Sequence, residues 1–246
     1  VDFTLEMDWL ERGAPDIGVP ALKVAFPLSV QDGVATFECP NGHVTRPTDG
    51  REVPAQKWVD LTGKQEGISA AVGATLLNDS KYGHSVKDNT LCLTLLRSSY
   101  DPDPLPEMGG HTIRFAIQPH IGSWTPSDAT RAGYAFNFPF NVVGTDTHEG
   151  SLPAHKGFGE ILTPGVMLSA MKKAEDSEAL IVRLYEMEGQ AATARIRLDT
   201  ALAPANAQAL ETDLLEQPLA QNTAQMEENI LSVAIPAFGL VTVKIG

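Results

Sequence analysis

The chain has 246 residues, 43% of them hydrophobic and 20% charged, with a formal net charge of −13. That is enough apolar material for one or two domains with their own cores. The acidity, with no basic run anywhere, argues against nucleic acid and anionic membrane surfaces as partners. No apolar run approaches the roughly 20 residues that span a bilayer. No charged-then-apolar leader is visible, and there is no initiator Met, so the chain reads as a piece of a longer protein. Two cysteines, Cys39 and Cys92, stand in apolar strand-like text without a CxxC partner. Free thiols and a cytoplasmic location are the expectation, with a disulfide the alternative that only geometry decides.

Taken in chain order, Val1, Phe3, Leu5, Met7 and Trp9 alternate with polar residues at period two, which predicts a strand with one buried face. Glu11 to Pro20 is a Gly/Pro loop. Leu22–Leu28 and Val34–Cys39 read as strands separated by a turn at Gln31-Asp32-Gly33. The text Leu76-Leu77-Asn78-Asp79-Ser80-Lys81-Tyr82-Gly83, then Leu91 to Leu96 and Arg97, reads as two buried strands joined by a polar loop that lifts Asn78, Asp79, Lys81, Tyr82 and His84 off the sheet. A Pro/Asp corner follows at Asp101-Pro102-Asp103-Pro104. Gly110 to His120 alternates again. Thr125-Pro126 offers an N-cap with Pro at the first helical position, predicting a helix within Ser123–Phe140 with Ala129, Ala132 and Phe136 on one face. Asp146–Lys156 is a surface loop. From about Gly165, strands recur at Thr193–Leu198, Ile230–Ile235 and Leu240–Ile245, the spacing of a small antiparallel sandwich.

Several of these stretches together resemble the C-terminal half of the glycoside hydrolase family 38 α-mannosidases. The similar text is Asp8-Trp9…Glu11-Arg12…Leu22-Lys23-Val24-Ala25-Phe26-Pro27, Gly42…Arg46-Pro47-Thr48, Trp58-Val59-Asp60-Leu61, Leu76 to Gly83, Asn89 to Arg97, and Gly110 to Pro119-His120. It continues in Lys172-Lys173-Ala174-Glu175-Asp176, Ile181 to Glu186 with Gly189, Asp213 to Glu216, and Pro236…Thr242. The link at Glu11–Pro20 is longer than the family's, and Ala116 has no neighbouring Tyr where the family carries one. The resemblance implies an all-β fold. Residues 1–163 would be part of a large, galactose-mutarotase-like supersandwich β-domain with one short helix, and residues 164–246 a small C-terminal β-sandwich. It also implies an upstream catalytic domain holding zinc and the reacting carboxylates, a mannose-containing glycan as the parent's substrate, and a larger β-domain that begins before Val1. The last point predicts an unpaired strand edge and a homo-oligomer formed through it.

Within the chain itself no catalytic or metal-ligating constellation is legible. Two carboxylates about 5 Å apart would serve a retaining glycosidase, but spacing along the chain among 31 acidic residues cannot show such a pair. The six histidines show no HxH or HExxH spacing, and His111 and His120 fall on opposite faces of their strand. The chain alone is expected to catalyse nothing, with no cofactor of its own. The candidate sugar-contacting residues are Asn78, Asp79, Lys81 and Tyr82, with Arg46 and Arg97 behind them; the competing role for each arginine is pinning a loop. Trp9, Trp58 and Trp124 fit core packing better than sugar stacking. The leading reading is a scaffold and cleft wall for a catalytic domain, and the runner-up a free-standing carbohydrate-binding module.

Overall fold

The computed structural model describes residues 1–103, 105–204 and 206–246. Pro104, the last residue of the expected corner, lies outside the described residues. The chain divides into two units, Val1–Phe140 and Asn141–Gly246.

In the first unit the strands are β1 (Asp2–Trp9), β2 (Ala21–Pro27), β3 (Gln31–Cys39), β4 (Gly42–Arg46), β5 (Val53–Pro54), β6 (Trp58–Gln65), β7 (Ile68–Asn78), β8 (Gly83–Lys87), β9 (Thr90–Arg97) and β10 (Gly109–Ile121), followed by α1 (Pro126–Asn137). They form a six-stranded sheet ordered β1-β10-β7-β6-β3-β4 and a four-stranded sheet ordered β2-β9-β8-β5. All pairings are antiparallel, with β10 meeting β7 at Phe115↔Asn78 and β6 meeting β7 at Trp58↔Leu77. Alternate residues of each strand point to opposite faces. Phe37, Val59, Leu61, Leu76 and Phe115 therefore join Val86, Leu91, Leu93 and Leu95 of the other sheet in one core.

The central text departs from the sequence expectation. β7 and β9 do not pair; they lie in different sheets, and Asn78 to Gly83 is the crossing between them. The true hairpin is β8–β9, turning at Asp88 and Asn89, both at positive φ. Adjacent apolar runs suggested a hairpin, yet β7 pairs with its neighbour β6 and with distant β10, while β9 pairs with its neighbour β8 and with distant β2. Gln31-Asp32-Gly33 is likewise not a turn: it opens β3, and the register slips between Gln31 and Val34, with Asp32 at φ 52.

The opposite, outer face of the six-stranded sheet carries Trp58, Asp60, Thr75 and His120, and α1 covers it. Thr125 caps α1 with a reciprocal bond to Asp128, and Pro126 fills its first turn, as the sequence predicts. Trp58 Nε1 donates to Thr130 Oγ1 at 3.0 Å, fixing helix to sheet. Fully buried Asp60 accepts from Thr62 Oγ1 (2.5 Å), Thr75 Oγ1 (2.7 Å) and His120 Nε2 (2.8 Å), so both oxygens of a group cut off from water have partners. His120 also stacks on Trp124, whose indole donates to Thr75 Oγ1. All three tryptophans are thus tied into packing, since Trp9 donates to Ser98 Oγ.

In the second unit β11 (Gly159–Ile161), β12 (Val166–Lys173), β13 (Leu180–Glu186), β14 (Ala192–Leu198), β15 (Ala209–Thr212), β16 (Gln225–Glu227), β17 (Ile230–Ile235) and β18 (Leu240–Ile245) form two four-stranded antiparallel sheets, β11-β14-β17-β16 and β12-β13-β18-β15. Gly159–Ile161, which an expected boundary after residue 163 leaves with the first domain, pairs with β14 here. The inward residues Val182, Leu184, Ala194, Ile196, Leu231, Val233 and Val243 make the core.

One buried carboxylate organises an end of this sandwich. Glu186 accepts from the backbone N–H of Glu188 (2.6 Å), Gly189 (2.8 Å), Gln190 (3.1 Å) and Phe238 (2.9 Å), tying two loops together. Gly189 is at φ 74, and a Cβ there would lie 2.7 Å from the Phe238 ring. Hydrogen bonds to a buried charge outweigh neutral ones. Glu186→Ala should therefore lower the unfolding free energy of the second unit by about 2–4 kcal/mol in urea denaturation; a change below about 0.5 kcal/mol, the range of an ordinary surface substitution, would contradict this role.

Candidate functional site

The first unit carries a cleft of about 780 Å³ on the side of α1's C-terminal end, within the roughly 300–1,000 Å³ of small-molecule sites. β3, β5, the 55–57 segment, the crossing 79–82 and the last turn of α1 line it. Three of the six sequence candidates, Arg46, Asp79 and Tyr82, meet there; Lys81 does not line it. Arg97 is exposed at the end of β9, near Glu52, in the other sheet.

Asn78 corrects the sequence reading most clearly. It is fully buried rather than lifted off the sheet. As the last residue of β7 it points the same way as Leu76, towards the four-stranded sheet. Its amide nitrogen donates to Gln56 O (2.6 Å) and to His84 Nε2 (3.2 Å), and its oxygen accepts from Lys81 N (2.9 Å). Since that NH₂ can only donate, His84 Nε2 is the acceptor and the neutral ring keeps its proton on Nδ1. Asn78 therefore shapes the loop instead of touching a ligand. With Asn78 fixed, Ser80 at φ 63 turns the chain, and Tyr82 O accepts from Ala55 N (3.0 Å). Asp79 pairs with Arg114 at 3.4 Å, and Tyr82 stays 56% exposed.

Arg46 donates to Pro54 O at 2.7 Å and lies over the Phe37 ring at 5.2 Å. It pins the β5 loop, although to a carbonyl rather than the carboxylate expected for that role. The base of the cleft holds two residues that sequence reasoning missed. Glu38, 3% exposed, accepts from Lys57 N (2.5 Å) and faces Lys57 Nζ at 2.9 Å. Lys57 Nζ in turn sits 4.5 Å above the Tyr134 ring. Burial raises the Glu38 carboxyl above its ordinary value, outweighing the opposing pull of Lys57. A carboxylate and a lysine 19 positions apart look like solvated charges in sequence; only alternation placing Glu38 with Thr36, opposite core-facing Phe37, hints that it faces α1. The helix can approach because Gly133 abuts Lys57, where a Cβ would stand 3.0 Å from Lys57 Cβ. That approach lets Asn137 Nδ2 donate to Asn78 O (2.9 Å), closing the cleft behind the loop. Half-buried Cys39 also lines it; burial pushes its thiol up, and both cysteines are free.

Among the described residues, no group of three or more His, Cys, Asp or Glu is arranged to hold a metal ion, and no helix is long and apolar enough to cross a membrane.

Together, the fold and the cleft define a two-unit antiparallel β-sandwich protein whose first unit presents a rigid polar and aromatic loop. The description "Glycosyl hydrolases family 38 C-terminal domain" matches residues 1–105, and "Glycosyl hydrolases family 38 C-terminal beta sandwich domain" matches residues 165–244. The chain belongs to glycosyl hydrolase family 38, as part of the C-terminal region of an α-mannosidase. It is 32% identical to Alpha-mannosidase 2C1 of Homo sapiens over 98% of this chain and 23% of that protein. It is also 32% identical to Alpha-mannosidase of Saccharomyces cerevisiae over 68% of this chain and 17% of that one. The chain thus spans less than a quarter of the length of these curated relatives. The crystal structure of an alpha-mannosidase from Enterococcus faecalis V583 superposes with a TM-score of 0.70 at 20% identity, covering 91% of this chain and 25% of that one, a likeness of fold.

Burial pushes His84 down to about 4 from 6.5. Its folded value is depressed, so the unfolded state binds the extra proton, and stability is lost as pH falls from about 6.5 towards about 4. The full loss is roughly 3 kcal/mol. Glu38, with its raised value, works in the opposite sense and offsets part of it. Thermal melts of wild type and His84→Gln over this window should show a steeper acid loss in the wild type; parallel curves would contradict the buried neutral imidazole.

Proposed function

We propose that this chain is a scaffold and sugar-cleft wall for the catalytic domain of the same parent protein, an α-mannosidase acting on mannose-containing glycans. The observation that carries it is the Asn78-centred lock: a buried amide holds Asp79, Lys81 and Tyr82 in one conformation where carboxylate, ammonium and phenol can meet hydroxyl groups. Rigid presentation of this kind serves recognition, because less ordering is needed on binding. The parent's zinc and reacting carboxylates belong, in this reading, to the part of the relatives' length that this chain does not span. The two free thiols support a reducing, cytoplasmic site of action. Arg46 contributes by holding the β5 rim, and Arg97 lies on another face. The outer edge of β1 has no partner strand among the described residues, which supports association of isolated chains through it.

Two measurements test this. The isolated chain should leave an aryl α-mannoside intact; cleavage that persists after purification and disappears in Asp79→Asn would overturn the proposal. In the full-length parent, Lys81→Ala should lower kcat/KM for that substrate by about tenfold, the worth of one hydrogen bond to a charge, with an unchanged melting temperature. Altered stability with unchanged kinetics would instead leave the loop a purely structural contact.

A further inference from the structure

The loop 10–20 and the residues after β9 meet at the end of the first unit where β1 stops and β10 starts. Trp9 pairs with Gly109, so Leu10 and Met108 flank that end, 73% and 42% exposed. Trp9 Nε1 donates to Ser98 Oγ at 2.6 Å, and Ser98 N donates to Pro20 O at 2.9 Å, which ties the loop down at both ends. Gly13 lets the two backbones touch, since a Cβ there would lie 2.3 Å from Ser98 O. Ala14 and Gly18 then exchange N–H···O bonds of 3.0 and 2.8 Å, and Gly18 at φ 84 turns the chain back. The loop is a fixed structure, so a ligand bound beside it would need little further ordering.

Between this loop and Tyr100 lies a cavity of about 560 Å³, lined by Arg12, Gly13, Ala14, Pro15, Ile17 and Tyr100. It shares no residue with the cleft at Asp79 and Tyr82. Among the described residues that line it, Arg12 alone is charged, and its side chain is exposed with no hydrogen-bond or ion-pair partner among the described residues. Ile17 and Tyr100 are 67% and 39% exposed. In a chain with 31 acidic residues, a guanidinium left without a carboxylate beside uncovered apolar walls marks a place for an outside group.

The two features select that group together. A guanidinium takes a carboxylate through two parallel N–H···O bonds, while Pro15, Ile17 and Tyr100 offer their surface to carbon. An aspartate or glutamate side chain would satisfy the first and leave the second bare. The last residue of a polypeptide satisfies both, because its carboxylate and its side chain leave the same Cα. Leu10 and Met108, exposed at the same end of the unit, give the residues before it an apolar surface that a small free acid would not reach. We propose that this cavity binds the C-terminal residue of a polypeptide ending in an apolar side chain, with its carboxylate on Arg12 and its side chain against Pro15, Ile17 and Tyr100. The site stands apart from the sugar-cleft reading, and either can fail without the other.

The test is titration of the 246-residue chain, by calorimetry, with three probes. They are an N-acetylated glycine–serine pentapeptide ending in leucine, the same peptide as its C-terminal amide, and N-acetyl-leucine. The free-carboxylate peptide should saturate with a Kd at or below about 1 mM. The amide and the Arg12→Gln variant should each bind about tenfold more weakly or worse, the worth of a hydrogen bond to a charge. Ile17→Ser should weaken binding about three- to tenfold through lost apolar contact. Arg12 and Ile17 are both exposed, so both variants should melt with the wild type. No saturation up to about 10 mM would overturn the proposal. So would equal affinity for the amide, unchanged affinity in either variant, or N-acetyl-leucine binding as tightly as the peptide, which would make this a site for a small acid.

Discussion

The side-chain amide of Asn78 is the contact on which the crossing between the two sheets of the first unit depends. Where the chain leaves the six-stranded sheet for the four-stranded one, backbone pairing stops and N–H and C=O groups would be buried without partners. The amide replaces them, donating to Gln56 O and His84 Nε2 and accepting from Lys81 N, and the neighbouring backbone joins in through Ala55 N to Tyr82 O. An amide can do this because it donates and accepts in one plane; a carboxylate would set a charge beside a carbonyl, and an aliphatic residue would leave three groups unsatisfied. The loop's shape, the β5 rim and the end of α1 all refer back to this point, since Asn137 bonds to Asn78 O.

Charge is handled the same way in both units: each buried carboxylate is surrounded before it can act on anything else. Asp60 takes two hydroxyls and an imidazole, Glu186 takes four backbone N–H groups, and Glu38 takes Lys57 twice, through backbone and side chain. Asp79, Arg46, Asn137 and the rings of Tyr82 and Phe138 gather on one cleft beside Glu38.

Much of the fold was legible because local signals agreed with tertiary structure. The alternation in β1 and β10, the Thr125-Pro126 cap and the evenly spaced strands of the second unit all fold where the pattern puts them. That β7 and β9 belong to different sheets was not legible. Both are apolar nearly throughout, so periodicity cannot say which sheet each joins, and their short separation suggested a hairpin where each instead pairs with its other sequence neighbour, β6 or β8, and one distant strand. Of the candidate contacts, Asp79 and Tyr82 do lie on the crossing loop, and Arg46, whose competing role was pinning a loop to a carboxylate, bonds to a carbonyl instead. Asn78 was mistaken for a surface group because polar text after an apolar run looks solvated. Glu38 and Lys57 escaped because their pairing depends on how closely Gly133 lets the helix approach.

The most direct measurement is residue-resolved amide hydrogen exchange on the wild type and on Asn78→Ala. The account predicts that the Lys81 and Ala55 amides are protected in the wild type. In the variant both should lose protection together, ahead of global unfolding, while Val182 and Leu184 in the second unit exchange as before. A Lys81 amide that exchanges like an open loop in the wild type, or an Ala55 amide whose protection survives the substitution, would show that something other than Asn78 holds this face together.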